Sequence, residues 1–241
     1  MSLRYLTAKL AQQIDDELIN EAGAFSIDQL MELAGLAIAQ ALARVYNKDE
    51  YPNVLVCCGP GNQGGDGLVA ARHLAMFGYN PVIFMPKGFK DVYNFERLKT
   101  QCDNMNIKMI PPSDDTSLLQ DSLSSAEVIL DTISGLSPKL IQAPFNSALP
   151  LLANSGLHIV SVDVPFGWDV EEGNVEGVGL EPDVLVSLIA PKRGMRSFRG
   201  RHFVAGRFIP KSLEEKFELN LPEYPDSDQI VELAMEEEAH R

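Results

Sequence analysis

An α/β fold built on a mostly parallel, doubly wound sheet is the prediction, and three observations carry it. Short apolar runs alternate with helical stretches from Val54 onward, the pattern of strands laid side by side with helices packed across them. A glycine-rich loop, with five glycines between Gly59 and Gly67, joins the first apolar run to an amphipathic helix, as in a loop that cradles phosphate. Two later runs end in Asp131 and Asp163, and sheets of this kind bind ligands beyond the carboxyl ends of their strands.

Taken in order, Thr7 caps a first helix with Leu10, Ile14 and Leu18 on one stripe, and Gly23 ends it. Ser26 and Gln29 form a capping box for a second helix, whose apolar positions run from Ile27 through Met31, Ile38 and Leu42 to Val45. Its small residues, Ala34 to Ala41, permit a close backbone approach, either inside the chain or across a dimer interface. Strand one is Val54 to Cys58, and its helix runs from Leu68 to Phe77. Strands are then expected at Pro81 to Met85, Ile107 to Ile110, Glu127 to Asp131, His158 to Asp163, Asp183 to Ile189 and His202 to Ile209. Helices fall around Phe95 to Met105, Leu118 to Leu123 and from Pro144 or Phe145 toward Gly156. One domain spans 1–241: N-terminal helices over 1–50, the α/β core over 53–210 and a tail over 211–241, extended along the surface and frayed at its end.

With 241 residues, 45% hydrophobic and 22% charged, the chain can bury a full core as a single large domain. A net charge of −14 argues against a nucleic-acid partner, which needs a basic face. Cys57 and Cys58 are neighbours in a strand and leave opposite faces, so a disulfide framework is not expected and a reducing compartment is. Neither a signal peptide nor a membrane-spanning run is read, so a cytoplasmic location is expected, or a mitochondrial one if a leader precedes this sequence.

Gly59-Pro-Gly-Asn-Gln-Gly64 matches G-x-G-x-x-G between a strand and a helix. A dinucleotide oxidoreductase would close its second strand with an acid for the ribose; here Met85, Pro86 and Lys87 stand there. Walker-type phosphate transfer is disfavoured, because no Lys-Ser or Lys-Thr closes the loop. Asp66 is placed at the helix N-terminus, where the dipole favours its ionised form, as a cap or as a ligand contact. Asp131 and Asp163, emerging from buried strands, need a cation, a donor or a proton, or else they cap turns. His73, His158 and His202 lack metal-ligand spacing, and Trp168 either packs a turn or lines a pocket. Lys192, Arg193, Arg196, Arg199, Arg201 and Arg207 form a basic cluster, facing an anionic ligand or simply solvated.

The segments Cys58 to Leu74, Ser161 to Glu172, Val186 to Lys192 and Gly206 to Pro210 together resemble the YjeF N-terminal domain family of NAD(P)H-hydrate epimerases, over about Leu6 to Gln229. The resemblance implies a Rossmann-like three-layer α/β/α sandwich, often a homodimer. It implies interconversion of the R and S forms of NADHX and NADPHX, one of which a separate dehydratase consumes. Asn62, Gln63, Gly64, Gly65 and Asp66 would contact the hydrate, with Gly135, Leu136, Ser137, Pro138 and Lys139 against phosphate or ring. Asp163 would transfer the proton; Asp131, the amide of Gln63 and the backbone of Phe166 would hold one potassium ion. The sequence departs from the family at Gln63, usually Asn, at Phe166, usually Ser, and in a shorter loop after Asp131. A rival reading is therefore a non-catalytic paralogue that binds a small ligand or a protein.

Overall fold

The structure, a computed structural model, describes residues 2–86, 92–111, 116–136 and 145–234. Its N-terminal helices follow from their caps. The Thr7 hydroxyl accepts from the Leu10 amide at 3.0 Å, which satisfies one orphan donor of α1, Ala8–Ile19. This helix stops at Asn20, before Gly23: the Asn20 side chain accepts from the amides of Ala22 and Gly23 and closes the turn itself. Both halves of the Ser26 and Gln29 capping box are made at the start of α2, Ile27–Val45. The small residues of α2 serve internal packing, since a Cβ on Gly35 would lie 2.5 Å from that of Val69 on the next helix.

Eight strands follow: β1 Asn53–Cys58, β2 Asn80–Phe84, β3 Lys108–Ile110, β4 Val128–Thr132, β5 His158–Val162, β6 Val184–Leu188, β7 Arg201–Ala205 and β8 Ile230–Glu232. They form one sheet in the order β3-β2-β1-β4-β5-β6-β7-β8, parallel throughout except for β8. The helices between them are α3 Asn62–Phe77, α4 Val92–Asn104, α5 Ser117–Leu123, α6 Phe145–Ala153 and α7 Lys211–Lys216, with a 3₁₀ turn at Arg193–Ser197. Alternation along the strands divides the core in two. Val54, Val56, Leu130 and Val162 pack with α2, α3 and α4, whereas Leu55, Cys57, Ile129 and Ile159 pack with Phe145, Leu149 and Leu152 of α6 and Leu119 of α5. Helices thus cover both faces, and each fully buried aliphatic contributes about 1.5–3 kcal/mol.

Besides the end of α1, the strand expected over His202 to Ile209 stops at Ala205, and two larger differences concern α3 and the tail. Helix α3 begins at Asn62, six residues ahead of Leu68, so most of the glycine-rich stretch is helical. Close packing demands those glycines: a Cβ on Gly64 would run into the Gly59 carbonyl, and one on Gly67 into the Thr132 hydroxyl and the Cys58 sulfur. The tail is not simply extended. It adds α7 and then β8, whose Ile230 is buried and which pairs antiparallel with β7. Residues 235–241, where fraying was expected, lie outside the described residues.

Candidate active site

Strand order reverses between β1 and β4, which both leave the sheet at the same edge, the position where doubly wound sheets open a crevice. From β1 the chain turns through Gly59 to Gly61 into α3. The Gly64 and Gly65 amides return to the Gly61 carbonyl, at 3.0 and 3.3 Å, and wind the first turn. The amides of Gly61, Asn62 and Gln63 take no backbone acceptor among the described residues. Together with the helix dipole they make an anion-binding terminus. Asn62 is exposed there, and the Gln63 amide nitrogen reaches across to the Val162 carbonyl at 2.7 Å, joining the glycine turn to the end of β5.

The two strand-end aspartates take different environments. Asp131 lies inside β4, is fully buried and accepts three hydrogen bonds, from Ile133 N at 3.1 Å, Ser161 Oγ at 2.8 Å and Phe166 N at 2.9 Å. Burial still pushes its carboxyl up to about 6, against the lowering effect of those donors. Asp163 follows β5 with φ +60°, a left-handed conformation that Asp adopts more readily than most residues. Its Oδ1 accepts from Leu188 N and from Lys192 Nζ, both at 2.7 Å. The ion pair with Lys192 is 3% exposed on the lysine side and 7% on the aspartate side. Among the described residues, no donor is directed at Oδ2.

Asp66 behaves opposite to expectation. It is the fifth residue of α3, and the N-cap is Gly61, so it caps nothing. It is 8% exposed and has no donor or cation paired with it among the described residues. Burial raises its carboxyl well above the usual range, assisted by the negative charges of Asp163 and Asp15. Desolvation outweighs the dipole, the reverse of what the helix position alone would give. Asp15, on α1, is a site neighbour that sequence reasoning missed. Burial raises it to about 6, with Lys192 opposing and Asp163 assisting. Its position on the polar side of the Ala11, Ile14 and Leu18 stripe gave no local signal.

Of the remaining expected contacts, Gly135 has φ +54° and sits against Gln63, whose Oε1 would lie 2.7 Å from a Cβ placed there. Leu136 packs between the clusters around Leu6 and Val164. Ser137, Pro138 and Lys139 lie outside the described residues. The Phe166 ring is fully buried in the layer beneath α6, edge-on to Phe145 with centroids 6.2 Å apart. Its carbonyl accepts from Leu180 N at 2.9 Å. The basic residues do not form one cluster: Lys192 is buried on Asp163, while Arg201 pairs with Glu232 and Arg196 stacks on Tyr5. Trp168 packs a turn by donating to the Leu180 carbonyl. His73 bonds Glu32 and His202 bonds Ser187, both structural.

The comparisons agree with this geometry. A family model described as YjeF-related protein N-terminus matches residues 27–194. The chain is 48% identical, over 97% of its length and 89% of the relative's, to a protein of Mycosarcoma maydis named NAD(P)H-hydrate epimerase. It is 49% identical to one of the same name from Puccinia graminis f. sp. tritici, with 96% and 95% covered. The crystal structure of yeast ynu0 superposes with a TM-score of 0.89 at 38% identity, covering 96% of this chain and all of that one. The glycine turn, the paired Asp163 and these likenesses place the chain in the YjeF-related N-terminal domain family.

Proposed function

We propose that this protein is an NAD(P)H-hydrate epimerase, interconverting the R and S forms of NADHX and NADPHX. The observation that carries the reading is the Asp163 carboxylate, held by Lys192 beside the anion-binding start of α3 with one oxygen left without a protein donor. The names of relatives at 48% and 49% identity support it. The substrate's C6 hydroxyl sits next to the ring nitrogen, so the nitrogen lone pair expels it as water once its oxygen is protonated. A planar iminium remains. When water returns to the other face, its oxygen bonds C6, the C=N electrons go back to nitrogen and one proton must be removed.

Asp163, whose Oδ2 has no protein donor, is the acid/base of both steps: its carboxyl gives a proton to the departing hydroxyl and takes one back from the water that returns, so each turnover closes with no net change.

A potassium ion is part of the proposal. Asp131 is a buried carboxylate with no Lys or Arg paired to it among the described residues, and Gln63 and the Phe166 carbonyl, with its second lone pair, add only oxygens. That donor set fits a hard cation. When bound, the ion supplies positive charge that keeps Asp131 ionised. The homodimer, the separate dehydratase and a cytoplasmic location rest on the family resemblance and on composition.

The test is conversion of a mixed R and S NADHX sample, followed by chromatography with and without potassium. Rapid equilibration is expected, slower in potassium-free buffer. An unaltered ratio over hours would remove the enzyme reading and leave a ligand- or protein-binding role.

A further inference from the structure

We infer that Lys192 is the positioning residue of this site: its ammonium, trapped on backbone carbonyls, holds Asp163 by Oδ1 and so reserves Oδ2 for the reacting water. The inference rests on the epimerase reading and deepens it.

The geometry leaves the lysine no freedom. Its three N–H groups meet three acceptors, Asp163 Oδ1 at 2.7 Å, the Leu188 carbonyl at 3.0 Å and the Ala190 carbonyl at 3.2 Å, which exhausts an ammonium's donors. The backbone that carries it is pinned as well. Leu6 N donates to the Pro191 carbonyl at 2.7 Å, and Arg193 N donates to the Leu6 carbonyl at 2.9 Å, so the N-terminal segment clamps Lys192 from both sides. Leu6 lies outside the 27–194 segment that the family model matches. Ile189, with φ +67°, turns the chain so that Lys192 doubles back onto the end of β6.

Two donors converge on a single oxygen. Leu188 N and Lys192 Nζ both address Oδ1, and the left-handed backbone at Asp163 fixes the direction from the other end. A carboxylate so held cannot swap its oxygens by rotating about its terminal bond without breaking an ion pair inside the protein. The charged and titratable groups facing Lys192 come from three further elements: Asp163 after β5, Asp15 on α1 and His202 on β7. His202 is lowered to about 4 by burial and by Lys192 itself, so it stays neutral and does not compete for Asp163. Asp15 is the second carboxyl that feels the ammonium, and it is partly exposed.

Lys192→Met and Lys192→Arg in the full chain test the inference. For Lys192→Met, kcat is expected to fall ~10²-fold, the loss expected when a reacting group is misplaced by about 1 Å. KM should stay within about threefold, because the substrate contacts are untouched while the reacting carboxyl is misplaced. Lys192→Arg keeps the charge but meets the three acceptors with a planar fork, so it should recover part of the loss, with kcat ~10-fold below wild type. A Lys192→Met enzyme that loses KM rather than kcat, or a Lys192→Arg enzyme at full turnover, overturns the positioning role. Carboxyl ¹³C NMR of Asp163 reads the pairing without any substrate, and its resonance should move in Lys192→Met. If wild type converts no NADHX, the epimerase reading falls alone, and an Asp163 carboxyl resonance that is the same in wild type and Lys192→Met overturns the pairing separately. Should Lys192→Met fail to fold, the Lys192→Arg arm decides.

Discussion

The ends of β4 and β5 start alike and finish differently. Each is a buried parallel strand running into an aspartate at the same sheet edge, yet Asp131 is enclosed by three protein donors while Asp163 faces one buried ammonium and keeps an oxygen unclaimed. The difference arises within two residues of backbone, since Asp131 pairs in register with Ser161. Asp131 is still in the strand, so its side chain points into the layer of Ile129 and Cys57 beneath α6. Asp163 lies just beyond its strand in a left-handed turn, which carries the carboxyl to the rim. Asp131 completes a buried network that the proposed potassium ion would join, whereas Asp163, displaced onto the edge, is available for proton transfer.

Substitution should separate the two, and the largest effect is expected at Asp163. Asp163→Asn retains the tolerated backbone conformation and should lower kcat by ~10²–10⁴-fold, with some loss of melting temperature because the buried Lys192 ammonium loses its counter-charge, read by R-to-S conversion beside thermal unfolding. Wild-type turnover would erase the contrast. Asp131→Ala should show the reverse emphasis. It strands Ser161 Oγ, Phe166 N and Ile133 N without an acceptor, each worth ~1–3 kcal/mol when buried. A loss of about 3 kcal/mol or more in urea unfolding is expected.

Gly67→Ala probes the same side of the comparison indirectly, because its Cβ would press on Thr132, the residue after Asp131. Overpacking of this kind costs about 1–3 kcal/mol, and the melting temperature should fall accordingly. An unchanged value would mean that α3 can shift off β4. The smallest effect is expected at Asp15, on the Asp163 side. Its folded value of about 6 lies above the ordinary 3.8 of an aspartate, so its contribution to stability is complete below about pH 4 and is lost as pH rises through 6. Asp15→Asn should therefore be more stable than wild type by ~1–2 kcal/mol at pH 8, allowing for partial exposure, and no more stable at pH 4. Equal stability at both pH values would show that Lys192 fully offsets the burial of Asp15.

Much of the fold was legible because its signals are local. Thr7, Ser26 and Gln29 sit within a turn of the amides they cap, and alternation along Val54 to Cys58 states which residues face which layer. The tail was misread since Ile230 to Glu232 is short and becomes a strand only through pairing with β7. In the site, Asp163 and the glycine turn could be named from their places in the strand pattern. The raised carboxyl of Asp66 could not be foreseen, because a helix N-terminus and burial push a carboxyl in opposite directions and local sequence reports only the first.

By itself the amino-acid order determined the alternation of strands and helices, the glycine turn after β1 and the presence of two aspartates at one edge, since each depends on periodicity or on the backbone freedom of a few neighbouring residues. Only the tertiary structure decided which aspartate is satisfied and which is exposed to substrate. It also brought Lys192 to Asp163 across 29 positions and carried Asp15 in from α1. The physical reason is that desolvation and ion pairing depend on distances through space, which the packing of α1, α3 and the sheet sets after every local preference has been met.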